Sequence, residues 1–262
     1  MQPFGTNVFS QPIVQDMALQ YGHQLASTGK TMMKEKIEKV VPVTKLRYYF
    51  SVDTKYVCSK LALLYFPFIH KDWSRKYEQD GGPVQPRFEL NAPDLYIPTM
   101  AYITYILVAS FVLGTQQKFS SEQISIQASS ALAWCLVEIF TYVCVLYIAN
   151  IQTSLQTLDL VAYSGYKFPG IIVSMLCSVV AGKAGYYSFL AYTSLSLAFF
   201  LTRTLRLQVM SEKSHQPDLY GNVHYATEHK KRLYFLVFVA VFQPLLSWWL
   251  SFHIISSNPV PQ

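Results

Sequence analysis

The sequence predicts an all-α integral membrane protein: five transmembrane helices, a cytosolic, partly helical amino-terminal region and a short lumenal tail. Three observations lead there. Of 262 residues, 52% are apolar and 14% charged, where a soluble domain carries about 25% charge. Leu95–Leu113, Ala128–Ala149 and Leu233–Ile255 are each long and apolar enough to cross a bilayer, which takes ~20 residues of helix. The third observation is where the charges fall around a fourth apolar region, 169–202, interrupted only by Lys183. As one straight helix this region would be ~50 Å long against a hydrocarbon core of ~30 Å. That is too long for one span and slightly short for two. Folding it into two at Gly182-Lys-Ala-Gly185 puts 19 of the 21 Lys and Arg on the amino-terminal side of the membrane. One span would instead send Arg203, Arg206, Lys213, Lys230, Lys231 and Arg232 to the opposite side. The positive-inside rule selects the first arrangement.

The elements follow in order. Residues 1–94 form the cytosolic region, 95–255 the membrane domain and 256–262 the lumenal tail. Spans are expected at about 95–114, 128–149, 163–182, 184–202 and 233–255, with Lys167 snorkelling toward the cytosol. Between Ile13 and Val41, apolar residues recur at helical spacing and the Lys residues gather at the end, an amphipathic helix that lies on the bilayer or packs on its own domain. Leu46 to Asp53 alternates apolar and polar, predicting a brief extended segment. Asp53 then caps a helix running to Phe66, with Val57, Leu61 and Leu64 on one face and Lys55 and Lys60 placed for headgroups. His70 to Pro93, with Gly81-Gly82-Pro83 and Pro86, reads as a linker.

Chemistry-bearing motifs are few. Cys58, Cys135, Cys144 and Cys177 lack zinc or disulfide spacing. The first long apolar run begins at about Leu95, so no cleavable signal is expected. Thr28-Gly-Lys-Thr31 looks like the end of a phosphate-binding loop but has Gln24 where the loop needs glycine. His215, His224 and His229 do not share a helix face as a metal pair would. No nucleophile, base and orienter set stands out, so neither an enzyme nor a cofactor is expected. Residues 1–94 hold nine acidic and 12 basic side chains, a mild excess that suits anionic leaflets and gives no reason for nucleic acid.

Glu138 is the exception. A carboxylate amid Trp134, Leu136, Ile139 and Phe140 is expensive facing lipid and should face other helices or a partner. It reads as a proton-coupled transport or channel site, a polar contact between helices, or a protonated carboxyl bonded within the bundle.

Asn91-Ala-Pro-Asp-Leu-Tyr-Ile-Pro98 resembles the signature that leads into the membrane domain of the Yip family, and the chain is similar to its Yip-interacting-factor branch. Supporting blocks are Phe4-Gly-Thr, Val43 to Thr54, Pro86-Arg-Phe88, Gln127 to Trp134, Ala162 to Lys167, Gly185-Tyr-Tyr187, Arg203 to Arg206 and Gln243-Pro-Leu-Leu246. The resemblance implies a five-span, non-catalytic transport protein cycling between the endoplasmic reticulum, the intermediate compartment and the Golgi membrane. It implies pairing with a Yip-family membrane protein, association with Rab-type GTPases and entry into coated vesicles. Asp94, Leu95, Tyr96 and Pro98 serve as an entry device, with Asp94 in water or capping the helix, or as a docking segment. Glu138, Lys167, Arg203 and Arg206 are further candidates for partner or membrane contact, together with small residues such as Ala128, Ser129 and Ser130.

Overall fold

Every regular element among the described residues of the computed structural model is helical; these residues are 43–74, 84–151, 153, 155–210 and 222–256. The helix expected over 13–41, the Thr28–Thr31 segment and residues 257–262 lie outside them. The helices are α1 (Val43–Tyr49), α2 (Thr54–Tyr65), α3 (Tyr96–Thr115), α4 (Ser121–Ile148), α5 (Thr157–Gly165), α6 (Lys167–Met210) and α7 (Asn222–Ser256), with 3₁₀ turns at Pro67–Ile69 and Pro86–Phe88. Residues 1–48 and 49–262 are two units; apart from most of α1, everything below lies in the second.

The extended segment expected at 46–53 is corrected: α1 occupies Val43–Tyr49 and only 50–53 are irregular. A strand needs a neighbour for its backbone groups, whereas a helix satisfies them internally. At α2 the expected cap is present, with Asp53 Oδ1 accepting from the Thr54 N–H at 2.9 Å. Its buried stripe, however, is Tyr56, Lys60, Leu63 and Leu64. Lys60 therefore does not face headgroups.

Among the described residues, four helical stretches are long and apolar enough to cross a membrane: Tyr96–Thr115, Ser121–Ile148, Thr157–Val209 and Lys230–Ile254. The third is not straight. Gly182 sits at φ 62° and ψ −155°, a combination open only to glycine, and a Cβ there would meet nothing within 4 Å. Conformation, not space, is what Gly182 supplies. The two halves of α6 then run side by side, so close that a Cβ on Gly170 would lie 3.0 Å from the Thr193 Cβ. Another close approach joins α5 to α3: a Cβ on Gly165 would come within 2.4 Å of the Pro98 Cβ.

The core gathers Ala101, Tyr105, Ala109 and Val112 of α3, Phe168, Ile171 and Met175 of α6, and Leu250 and Ile254 of α7. α4 lies at the periphery. Of its 28 residues only Ala131, Glu138 and Tyr142 are buried, and Leu132, Leu136 and Phe140 face outward. Residues 84–93 are more than a linker: Pro86, Glu89, Asn91 and Ala92 are buried, and Asn91 Nδ2 donates to the Asp72 and Ser74 carbonyls.

Candidate functional site

Two buried polar clusters account for most of the chemistry-bearing residues. The first joins the approach to the membrane with α2, α3 and α6. Asp94 is fully buried. Its Oδ2 accepts from the Ile97 N–H at 2.8 Å, an orphan donor of the first turn of α3. Its Oδ1 accepts from the hydroxyls of Tyr166 at 2.7 Å and Tyr56 at 3.1 Å. The Asp94 N–H in turn donates to the Tyr166 oxygen. Beside it Lys60 Nζ donates to the carbonyls of Leu90 at 2.6 Å and Ala92 at 3.1 Å, and lies 5.5–5.8 Å from the ring centres of Tyr56, Tyr166 and Phe200. Tyr49 closes the cluster: its carbonyl accepts from the Leu95 N–H and its hydroxyl donates to Asp159 Oδ1 at 2.5 Å. Asp94 thus caps as expected, but in the interior and not in water.

The second cluster lies inside the bundle. Lys167 Nζ is in contact with Glu138 Oε2, and neither side chain is exposed to solvent. Tyr142, one turn after Glu138 on α4, donates to Oε1 at 2.9 Å; Gln243 Nε2 of α7 donates to the same oxygen and to the Tyr142 hydroxyl. The expectation that Lys167 snorkels to the cytosol is overturned. Helix is interrupted at the single residue Tyr166 between α5 and α6, and Lys167 starts α6 buried in the interior, where an ammonium requires a partner. Glu138 supplies it. A cavity of about 10 Å³ beside Lys167, lined also by Tyr65, Tyr166, Pro169 and Thr193, has room for one water molecule.

Further hydroxyls brace α7. Tyr105 Oη and Gln127 Nε2 both donate to the Leu250 carbonyl, at 3.0 and 2.9 Å, and Tyr186 and Ser251 share a hydrogen bond of 2.7 Å. At the end of α2 the Tyr65 hydroxyl donates to the Pro169 carbonyl at 2.9 Å.

The candidates from the sequence divide accordingly. Asp94 and Lys60 meet in one cluster and Glu138 and Lys167 in the other. Leu95 and Pro98 are buried, Tyr96 is half-buried, and Arg203 and Arg206 are exposed. Of the basic run before the last span, Lys230 and Lys231 are exposed while Arg232 turns inward to the Val209 carbonyl at 2.5 Å. Sequence reasoning missed Tyr56, Tyr142, Tyr166 and Gln243 as partners. Tyr166 and Gln243 do stand in blocks that carried the resemblance, as do Tyr49, Gln127, Lys167 and Tyr186. Among the described residues no cluster of His, Cys, Asp and Glu suits a metal ion.

A chain whose regular elements among the described residues are all helical, several of them apolar and of membrane length, and whose interior charges and hydroxyls answer one another, is an integral membrane protein. The profile of the YIF1 family matches residues 10–251. Over 246 residues the chain is 46% identical to Protein YIF1B of Xenopus tropicalis, covering 94% of this chain and 80% of that one. It is 45% identical over 242 residues to Protein YIF1B of Homo sapiens, covering 92% and 76%. It is 34% identical over 241 residues to Protein transport protein yif1 of Schizosaccharomyces pombe, covering 90% and 81%. No solved structure matches. The chain belongs to the YIF1 family, in agreement with the resemblance read from Asp94 to Pro98 and its companion blocks.

Proposed function

We propose that this protein is a non-enzymatic trafficking factor of the early secretory pathway. It crosses the membrane five times, with a cytosolic amino terminus and a lumenal carboxyl terminus. It assembles with a Yip-family membrane protein and presents its cytosolic surface to Rab-type GTPases and vesicle coat machinery. Kinship supports the pathway: a relative 34% identical is named a protein transport protein. The break at Gly182, with Gly170 against Thr193, supports counting 157–209 as two spans.

The observation that favours a scaffold over a proton-coupled transporter is the closure of the Glu138–Lys167 pair. A transport carboxyl must exchange protons with water, whereas Glu138 is sealed by Lys167, Tyr142 and Gln243. The outer face of α4, with Leu132, Leu136 and Phe140 exposed, is the surface offered to the Yip partner. Arg203 and Arg206 stand exposed at the cytosolic end of the fourth span.

Isolation from native membranes in a mild detergent should yield a Yip-family protein in stable complex. Its complete absence overturns the assembly. Proton-dependent flux by the purified protein in liposomes, abolished by Glu138→Gln, would instead establish the transporter. A glycosylation sequon introduced near residue 257 should be modified; modification of one placed in 211–229 would overturn the topology.

A further inference from the structure

The carboxyl end of α2 is held by hydroxyls that belong to the second half of α6. Ser196 Oγ donates to the carbonyls of Leu64 at 2.7 Å and Tyr65 at 3.0 Å, and Tyr192 Oη donates to the Tyr65 carbonyl at 2.9 Å. These carbonyls end a helix and have no intrahelical N–H to accept from. Tyr192 and Ser196 precede Arg203 by eleven and seven residues, about 16 and 10 Å along a helix. Half the hydrocarbon core is about 15 Å.

The chain then returns. After the turn at Pro67–Ile69, the Phe68 ring packs on Phe199 at 4.8 Å, and Trp73 meets Phe199 at 6.3 Å and Phe200 at 5.8 Å. Phe199 and Phe200 are within four residues of Arg203, no deeper than about 6 Å. The charged pair Lys71 and Asp72 is exposed there, and at the other end of α2 so are Asp53 and Lys55. Between these polar ends the tip is apolar and uncovered: Phe66 is 55% exposed, Phe68 61% and Ile69 78%. Phe66 lies 6.3 Å from Tyr192, so the tip extends the outward face formed by Tyr192, Leu195 and Phe199.

We propose that residues 54–73 form a re-entrant wedge in the leaflet on the amino-terminal side of the membrane. α2 descends from water at Lys55, Phe66, Phe68 and Ile69 meet lipid acyl chains, and the chain regains headgroup level at Lys71 and Asp72. The inference rests on reading the second half of α6 as a span. Non-spanning backbone is tolerated at membrane depth only where protein satisfies its polar groups; Ser196 and Tyr192 do so for the Leu64 and Tyr65 carbonyls, and the turn supplies backbone bonds from Ile69 to Phe66 and from His70 to Pro67. The occupant of the tip is lipid because its apolar surface is continuous with that of the span and its depth matches the acyl region. Part of the amino-terminal region is thereby intramembrane and occupies area in one leaflet alone.

Spin-label accessibility tests this in the full chain, with the four native cysteines replaced by alanine and single cysteines placed at 55, 66, 71 and 195. Labelled protein in phosphatidylcholine vesicles is probed with oxygen, which concentrates among acyl chains, and with a neutral nickel chelate, which stays in water. Labels at 66 and 195 should both favour oxygen severalfold over nickel, and those at 55 and 71 the reverse. Oxygen preference at 195 with nickel preference at 66 overturns the wedge and leaves the span standing. Nickel preference at 195 overturns both. Shielding of 66 from both reagents places a protein on the tip and overturns the lipid assignment. If Phe66→Cys fails to assemble, labels at 68 and 69 carry the same measurement.

Discussion

Asp94 and Glu138 are both fully buried carboxyl residues, yet their surroundings solve the same problem differently. Around Asp94 the answer is neutral: a backbone N–H and two tyrosine hydroxyls, with Lys60 turned to carbonyls nearby. Around Glu138 it is ionic, with Lys167 against the carboxylate and Tyr142 and Gln243 completing the shell. The difference follows position. Asp94 stands where a helix begins, and unbonded N–H groups with their dipole already favour negative charge. Glu138 sits in the middle of α4, where every nearby backbone donor is committed within the helix, so only side chains can compensate it. The teaching is that a buried acid at a helix start needs donors, while one in mid-span needs a cation.

The largest effect should come from removing that cation. Lys167→Met leaves the Glu138 carboxyl alone in the bundle, and breaking a buried pair costs about 3–5 kcal/mol; proton uptake by the orphaned acid limits the loss toward the lower figure. Thermal unfolding in detergent should register it. The double variant Lys167→Met with Glu138→Leu should recover most of the stability, since an apolar replacement of the whole pair is often neutral. A loss in the double variant equal to the sum of the Lys167→Met and Glu138→Leu losses would show that the pair is not coupled.

A smaller loss is expected at the junction. Asp94→Ala removes the acceptor of the Ile97 N–H and of the Tyr166 hydroxyl, worth about 2–3 kcal/mol together. Tyr56 keeps the Ala92 carbonyl at 2.9 Å and loses less. Asp94→Asn keeps one acceptor oxygen and should fall between Ala and the native residue. If Asn equals Asp in unfolding experiments, negative charge contributes nothing there and the contrast with Glu138 becomes sharper still.

Much of this was legible in the chain and some could not be. The apolar runs marked the membrane-length helices because length and hydropathy are local properties. The Asp53 cap and the break in Gly182-Lys-Ala-Gly185 depend on residues next to one another. The pairing of Glu138 with Lys167 depends on tertiary register across 29 positions, which no spacing rule supplies. Snorkelling was the wrong rule for Lys167 because it assumes water at the span's end, whereas α5 continues the protein there. Lys60 escaped for a similar reason: amphipathic reasoning sends cations outward, and the carbonyls of Leu90 and Ala92 that receive it lie 30 and 32 residues away.

The two clusters are not isolated from each other, and the smallest expected effect tests how firmly they are joined. Tyr65 ends α2, which carries Tyr56 and Lys60 of the junction, and its hydroxyl bonds the carbonyl of Pro169, two residues past Lys167. Tyr65→Phe deletes one hydrogen bond and leaves the ring, a loss of about 1 kcal/mol. The informative quantity is the double-mutant cycle with Lys167→Met. Sites without shared partners add within about 0.5 kcal/mol, so an additive cycle would mean that the Pro169 carbonyl anchors α2 without steering Lys167. A coupling of about 1 kcal/mol or more would mean that Tyr65 helps hold the first turn of α6 in the orientation that delivers Lys167 to Glu138. The geometry favours coupling: Lys167 and Pro169 share that first turn, and a shift in its carbonyls also moves the Lys167 backbone.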